Sequence, residues 1–160
     1  MFKRILIANR GEIAVRIIRT CQELGIEAVA IYSNVDSTSL HVQLADHAVC
    51  IGSAKATDSY LNMKNILSAA TALGCDAIHP GFGFLSENST FARLVEECGM
   101  TFIGPSGDII DMMGNKSMAR QKMIEANVPV VPGSDGSVNT LEDARKVAKE
   151  IGFPVLIKAS

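Results

Sequence analysis

The sequence has no excess of charge of either sign. Fifteen Lys and Arg stand against seventeen Asp and Glu, for a formal net charge of -2. The basic residues are scattered, so they form no stripe suited to a nucleic-acid backbone or an anionic membrane. It has no long hydrophobic run either. The opening apolar stretch, Ile5 to Ala8, is too short for a signal sequence or a membrane span, and the first ten residues are not an Arg- and Ser-rich transit peptide. A cytoplasmic protein beginning at Met1 is the expectation. Cys21, Cys50, Cys75 and Cys98 make no C-x-x-C pair and have no histidine at metal-knuckle spacing, which argues against zinc and for reduced, buried thiols. Neither G-x-G-x-x-G nor G-x-x-x-x-G-K-[ST] occurs, so a dinucleotide fingerprint and a P-loop are both missing.

What is present is an alternation of periods. Apolar residues make up 48% of the 160-residue chain and charged ones 20%, the balance of a globular protein. Ile5 to Ala8, Ala28 to Tyr32, Ala48 to Ile51, Ala77 to His79 and Thr101 to Ile103 read as short strands. Between them, Ala14, Ile17, Ile18, Cys21 and Leu24 form one helical stripe ended by Gly25, and a short helix spans Leu40 to Leu44. Met63, Ile66, Leu67, Ala70 and Leu73 form another stripe, capped from Asp58 or Ser59 and ended by Gly74. Phe91, Leu94, Val95 and Cys98 form a third, ended by Gly99. Five strands with helical crossovers predict an α/β domain with a parallel, doubly wound sheet.

After Gly104-Pro105 the pattern changes, and a domain boundary is expected there, giving units 1–103 and 104–160. Helices are expected over Asp108 to Met113 and, capped by Asn115, over Lys116 to Ala126. The methionines at 112, 113, 118 and 123 read as flexible core filling. Pro129 to Gly136 reads as a linker or hairpin. Thr140 caps a helix bearing Leu141, Ala144, Val147, Ala148 and Ile151, and Phe153 to Ile157 begins a strand.

In an open α/β sheet, ligands sit beyond the carboxyl ends of the strands. That rule singles out Asn9-Arg10-Gly11, Ser33-Asn34, His79 to Glu87 and Gly104-Pro105. The run His79-Pro80-Gly81-Phe82-Gly83-Phe84-Leu85-Ser86-Glu87-Asn88 joins a strand end to a turn in which two glycines permit positive φ, then to helix-capping residues. His79 there reads as a histidine satisfied by a backbone carbonyl rather than a proton shuttle. Along the first helix Glu12, Arg16, Arg19 and Glu23 share a stripe apart from the apolar face, which on spacing alone is a solvated, self-paired surface.

The run from His79 to Asn88, with Ile7-Ala8-Asn9-Arg10-Gly11-Glu12-Ile13-Ala14, resembles the biotin carboxylase family. The resemblance continues in order through Phe102 to Pro105, Met113 to Lys116, Val131 to Gly136 and Phe153 to Ala159. It implies a Rossmann-like domain preceding the start of an ATP-grasp unit, and an ATP-dependent ligase that carboxylates biotin on a carrier protein with MgATP and bicarbonate. It places two ATP-contacting lysines on Lys116 and Lys158, which by spacing alone would read as solvated. The family's glycine-rich lid, metal-binding glutamates, catalytic bases and biotin-side arginine fall beyond Ser160, so no catalytic or metal-ligating residue and no tightly held cofactor are expected within the chain. Phe82 stands where the family often has Tyr, and Asn115 where Asp is common. The resemblance further implies a homodimer with Arg16, Arg19 and Glu23 as contacts, and a biotin carboxyl carrier protein and a carboxyltransferase as partners. Acceptor choice, whether acetyl-CoA, propionyl-CoA or pyruvate, belongs to those partners. The rival readings are a non-catalytic folding and pairing module, a carbamoyl phosphate synthetase or purine-pathway ligase of the same plan, and a nicotinamide-binding Rossmann protein. The ligase rivals lack the H-P-G-F-G-F-L-S-E-N turn and the last lacks its glycines.

Overall fold

The computed structural model describes residues 1–134, 136 and 138–157. The chain divides into two compact units, Met1–Ile110 and Asp111–Ser160.

The first unit is built on five strands: β1 (Arg4–Ile7), β2 (Glu27–Ser33), β3 (His47–Gly52), β4 (Ala77–His79) and β5 (Thr101–Phe102). All neighbouring pairs are parallel, and the order across the sheet is β3-β2-β1-β4-β5. This is the parallel, doubly wound sheet that the alternating periods predict. Between the strands run α1 (Gly11–Glu23), α2 (Leu40–Leu44), α3 (Met63–Ala72) and α4 (Ser89–Glu97). The strands are apolar nearly throughout because both faces are covered. Ile5, Ile7, Ala28 and Ala77 pack with Ala14, Ile18 and Cys21 of α1 on one face. Leu6, Ala8, Val29, Ile31 and Ile78 pack with Ile66 and Ala70 of α3 and with Phe91 and Val95 of α4 on the other.

Several local expectations are corrected. The cap of α3 is Asn62, whose side chain accepts from Asn65 N, because Asp58 and Ser59 belong to a separate 3-10 turn at Ala56–Asp58 and its end. Asn88 caps α4 in the same way. Leu24 lies past the last turn of α1 and is exposed, so the buried stripe is Ala14, Val15, Ile18 and Cys21. Cys21 and Cys75 are buried, and burial pushes the Cys75 thiol up to about 11. Cys50 and Cys98 are exposed, since Cys50 alternates with the inward-facing Val49 and Ile51 along β3 and Cys98 lies past the last buried position of α4.

α5 (Gly107–Gly114) runs across the division between the units, and the second unit holds α6 (Lys116–Glu125) and α7 (Leu141–Ile151). Asn115 caps α6, accepting from Met118 N at 3.1 Å, and Thr140 caps α7, accepting from Asp143 N at 3.1 Å. Two expectations fail here. Met113 and Met118 are about half exposed rather than core filling. Residues 153–157 form no strand, because a strand needs a hydrogen-bonded neighbour and no strand among the described residues lies beyond β5.

Candidate functional site

The sheet order reverses between β1 and β4, so the crevice of this fold opens where the carboxyl ends of those two strands part. Asn9, just past β1, closes the floor of that crevice. It is 4% exposed, and its Nδ2 donates to Pro80 O and Phe82 O, both at 2.8 Å, while its Oδ1 accepts from Arg10 N at 2.9 Å. One side chain thus fastens the β1–α1 turn to the glycine turn. Gly81 lies against it with φ +66, and a Cβ there would stand 2.6 Å from Asn9 Nδ2 and 2.8 Å from Ile13 Cγ2. Only glycine fits that approach.

A polar network rims the same end of the sheet. Asp36 Oδ2 accepts from Ser33 Oγ and from Tyr60 Oη, each at 2.6 Å, and pairs with Arg10 at 3.4 Å. Partial burial alone would raise the Asp36 carboxyl, but these donors and the Arg10 charge outweigh it and hold the group below its ordinary value. Tyr60 is buried, and that burial, with its bond to Asp36, pushes its hydroxyl up to about 12. The Tyr60 ring stacks on Phe84 with centroids 5.1 Å apart, and the Arg10 guanidinium lies 5.2 Å and 5.7 Å from the two ring centroids. Phe84 itself sits at φ +42.

His79 differs from expectation. Its Nδ1 accepts from Gly81 N at 3.0 Å instead of donating to a carbonyl, and burial lowers its affinity for a proton. The reason is local: the glycine turn brings a free N–H back onto the ring. His41 of α2 is 1% exposed, with Nε2 3.3 Å from Ile31 O.

Three of the four segments singled out from the sequence, those at Asn9, Ser33 and His79, therefore gather at one end of the sheet. A cleft of about 470 Å³ lies among them, lined by Asn9 to Ile13, Asp36, Ser39, His41 and Phe82 to Phe84. Gly104-Pro105 does not line it. Asp36, His41 and Tyr60 were not singled out. They lie between the motifs in sequence and no spacing marks them, although Asp36 stands three residues after Ser33, the separation of a side chain closing a local turn.

Along α1, Glu12, Arg16, Arg19 and Glu23 are all exposed. None forms an ion pair with another described residue, so the stripe is solvated but not self-paired. Beside it runs an apolar groove of about 670 Å³, lined by Phe2, Ile5, Ile17 and Leu24 together with Arg16 and Arg19.

Lys116 is the first residue of α6 and is exposed. A cation at a helix N-terminus adds to the positive end of the helix dipole, and no acidic residue offsets it in the first turn. Such a spot favours an anion. On the same helix Arg120 donates to Val131 O and Gly133 O, holding the following loop to α6. Lys158 lies outside the described residues. Among the described residues no cluster of His, Cys, Asp or Glu could hold a metal ion, and no helix is long and apolar enough to cross a membrane.

Comparison with known proteins covers the whole chain. Residues 1–110 match the family described as biotin carboxylase, N-terminal domain, and residues 115–160 match the carbamoyl-phosphate synthase L chain, ATP binding domain. Biotin carboxylase 1 of Bacillus subtilis is 59% identical over 160 residues, all of this chain and 36% of the relative. The 2-oxoglutarate carboxylase small subunit of Hydrogenobacter thermophilus is 55% identical over 160 residues, covering 34% of that protein. The chain therefore spans about a third of the length of these relatives. Among solved structures, the biotin carboxylase domain dimer of the Hydrogenobacter thermophilus enzyme, in complex with MgADP, ADP and bicarbonate, has a TM-score of 0.87 at 54% identity, over 96% of this chain and 34% of that one. A biotin carboxylase from Campylobacter jejuni in complex with βγ-ATP has a TM-score of 0.89 at 49% identity, over 96% of this chain and 34% of that one.

Proposed function

The chain belongs to the biotin carboxylase family, and from that premise we propose that it is the amino-terminal part of an ATP-dependent ligase that carboxylates biotin on a carrier protein, using MgATP and bicarbonate. The observation that carries this reading is identity of 59% with a biotin carboxylase over all 160 residues of the chain. The relative crystallised with MgADP and bicarbonate supports the choice of substrates.

In this reading residues 1–103 are the domain that precedes the ATP-grasp unit and 104–160 are its start. Lys116 and Lys158 contact ATP, as compact cations suited to phosphate oxygens. The position of Lys116 supports its part, because the α6 N-terminus already favours negative charge. The chain itself supplies no catalytic residue and no metal ligand. Arg16, Arg19 and Glu23 contribute to a homodimer, which the dimer of the Hydrogenobacter relative and the unpaired state of the stripe support. The carrier protein and a carboxyltransferase are its partners, the compartment is the cytoplasm, and acetyl-CoA carboxylation in fatty-acid synthesis is the proposed setting. Relatives named for 2-oxoglutarate and pyruvate carboxylases share the biotin step and differ in acceptor.

The test is made on the whole protein, by following bicarbonate-dependent phosphate release with free biotin. Lys116→Gln should raise the KM for ATP about tenfold or more, as loss of a charge-assisted phosphate contact requires. An unchanged KM would remove Lys116 from the nucleotide site, and absence of biotin-dependent turnover in the unaltered protein would remove the reaction.

A further inference from the structure

The helix that carries Lys116 is not held by a core. None of the described side chains of α6 is buried, so no apolar stripe fixes where its first turn lies. Polar ties do that instead. Asn115 caps the start of the helix. At the other end the chain turns through Ala126 and Asn127, the latter at φ +56, and Val128 N donates to Met123 O at 2.9 Å. The chain then runs back along α6. Its next tie is Arg120, about one turn nearer the start, whose Nη1 donates to Val131 O and whose Nη2 donates to Gly133 O at 3.5 Å. A Cβ on Gly133 would stand 3.9 Å from Arg120 Cζ, so the guanidinium lies against that glycine.

Successive ties thus climb from Met123 to Arg120, in the direction of Lys116. Lys116 precedes Arg120 by four residues and shares its face of the helix. A helical side chain leans toward the N-terminus, so the Arg120 fork and the loop it grips lie over the turn that leads back to Lys116. Val131 to Gly136 is also a motif to which the nucleotide reading gives no task. We infer that Arg120 is a positioning residue for the nucleotide, acting through Lys116: its clasp on the loop at Val131 and Gly133 fixes the first turn of α6. This rests on the proposed contact of Lys116 with ATP. Arg120 forms no ion pair with another described residue, so its charge is not cancelled and could act on an anion at a distance without any clasp. The two effects separate in a lysine variant, which keeps the charge and loses the planar fork.

The experiment is made on the whole protein, following bicarbonate-dependent phosphate release with free biotin and varying ATP and bicarbonate in turn. Arg120→Met should raise the KM for ATP about fivefold or more and leave the KM for bicarbonate unchanged, a split that a general loss of folded enzyme does not give. Arg120→Lys should raise the KM for ATP by a smaller factor of about three, since a point cation cannot grip both carbonyls. In a Lys116→Gln background Arg120→Met should add about twofold at most, because a residue acting through Lys116 has nothing left to position. Should Arg120→Met fail to fold, Arg120→Lys alone and on Lys116→Gln carries the same comparison. An unaltered KM for ATP in Arg120→Lys would overturn the clasp, since charge without the fork would then suffice. Effects of Arg120 and Lys116 that multiply in the double variant would overturn it as well. Both results leave the nucleotide role of Lys116 standing, whereas Lys116→Gln without effect on the KM for ATP removes that role and this inference together.

Discussion

At the scale of single residues, the crevice depends on a close approach between a side chain and a turn. Gly81→Ala would force a left-handed backbone on an L-residue, costing about 1–2 kcal/mol, before its Cβ meets Asn9 Nδ2 at 2.6 Å. The urea midpoint should fall by more than that backbone cost alone explains, while the same exchange at Gly83, whose Cβ would meet nothing within 4 Å, should show only the backbone cost. The Asp36 and Tyr60 pair sets a pH dependence with two signs. Asp36 is held below its ordinary value, so its contribution is present above the unfolded carboxylate range and is lost as pH falls through the lowered folded value. Tyr60 is raised to about 12, so its contribution is present below the ordinary tyrosine range and is lost as pH rises toward that value. Thermal unfolding across pH should therefore show an acid limb that Asp36→Asn shrinks and an alkaline limb that Tyr60→Phe shrinks, what remains belonging to groups such as the lowered Asp76 and the raised Cys75. Limbs of unchanged size in the variants would place the titrations elsewhere.

At the scale of elements, helix caps were recognisable by type more easily than by position. Asn62 and Asn88 do what Ser, Thr, Asp and Asn generally do at an N-cap, but where several such residues precede a helix, only the path of the chain selects the one that caps it. The α1 stripe poses a different question. Four exposed charges without ion-pair partners among the described residues contribute little to the stability of a lone helix, since even paired they would add about 0.3–0.5 kcal/mol per pair. Their proposed use is between subunits. Arg19→Glu in the whole protein should set like charges against each other and raise the dimer dissociation constant, most at low salt. Sedimentation showing an unaltered dimer at low and high salt would return the stripe to an ordinary solvated surface.

At the scale of the whole molecule, the chain spans about a third of relatives such as the Bacillus subtilis enzyme. On the proposed reading, this polypeptide alone releases no phosphate from ATP in the presence of bicarbonate and biotin. One preorganised donor contributes on the order of a hundredfold to a thousandfold in rate, and two lysines replace neither such donors nor metal ligands. The assay is run beside the intact enzyme. Turnover above background from the purified chain would move the active site into the first unit, toward His79 and the glycine turn.

The sequence by itself determined the parallel sheet, because buried parallel strands must be apolar on both faces and their crossovers must be helical, and both periods are local properties of the chain. It also determined which strand ends matter, and through its long motifs the family. The tertiary structure decided what those strand ends hold. Asn9 reaches Pro80 and Phe82, more than seventy residues away. Asp36 collects Arg10, Ser33 and Tyr60 from three separate segments, and the buried His41 of α2 sets its Nε2 3.3 Å from Ile31 O of β2. It likewise left 153–157 without the strand that its apolar run suggests, since strand formation depends on a neighbour as well as on composition. Periodicity records how a segment meets its own surroundings. Hydrogen bonds across such separations depend on where the sheet brings segments together, and no local pattern encodes that.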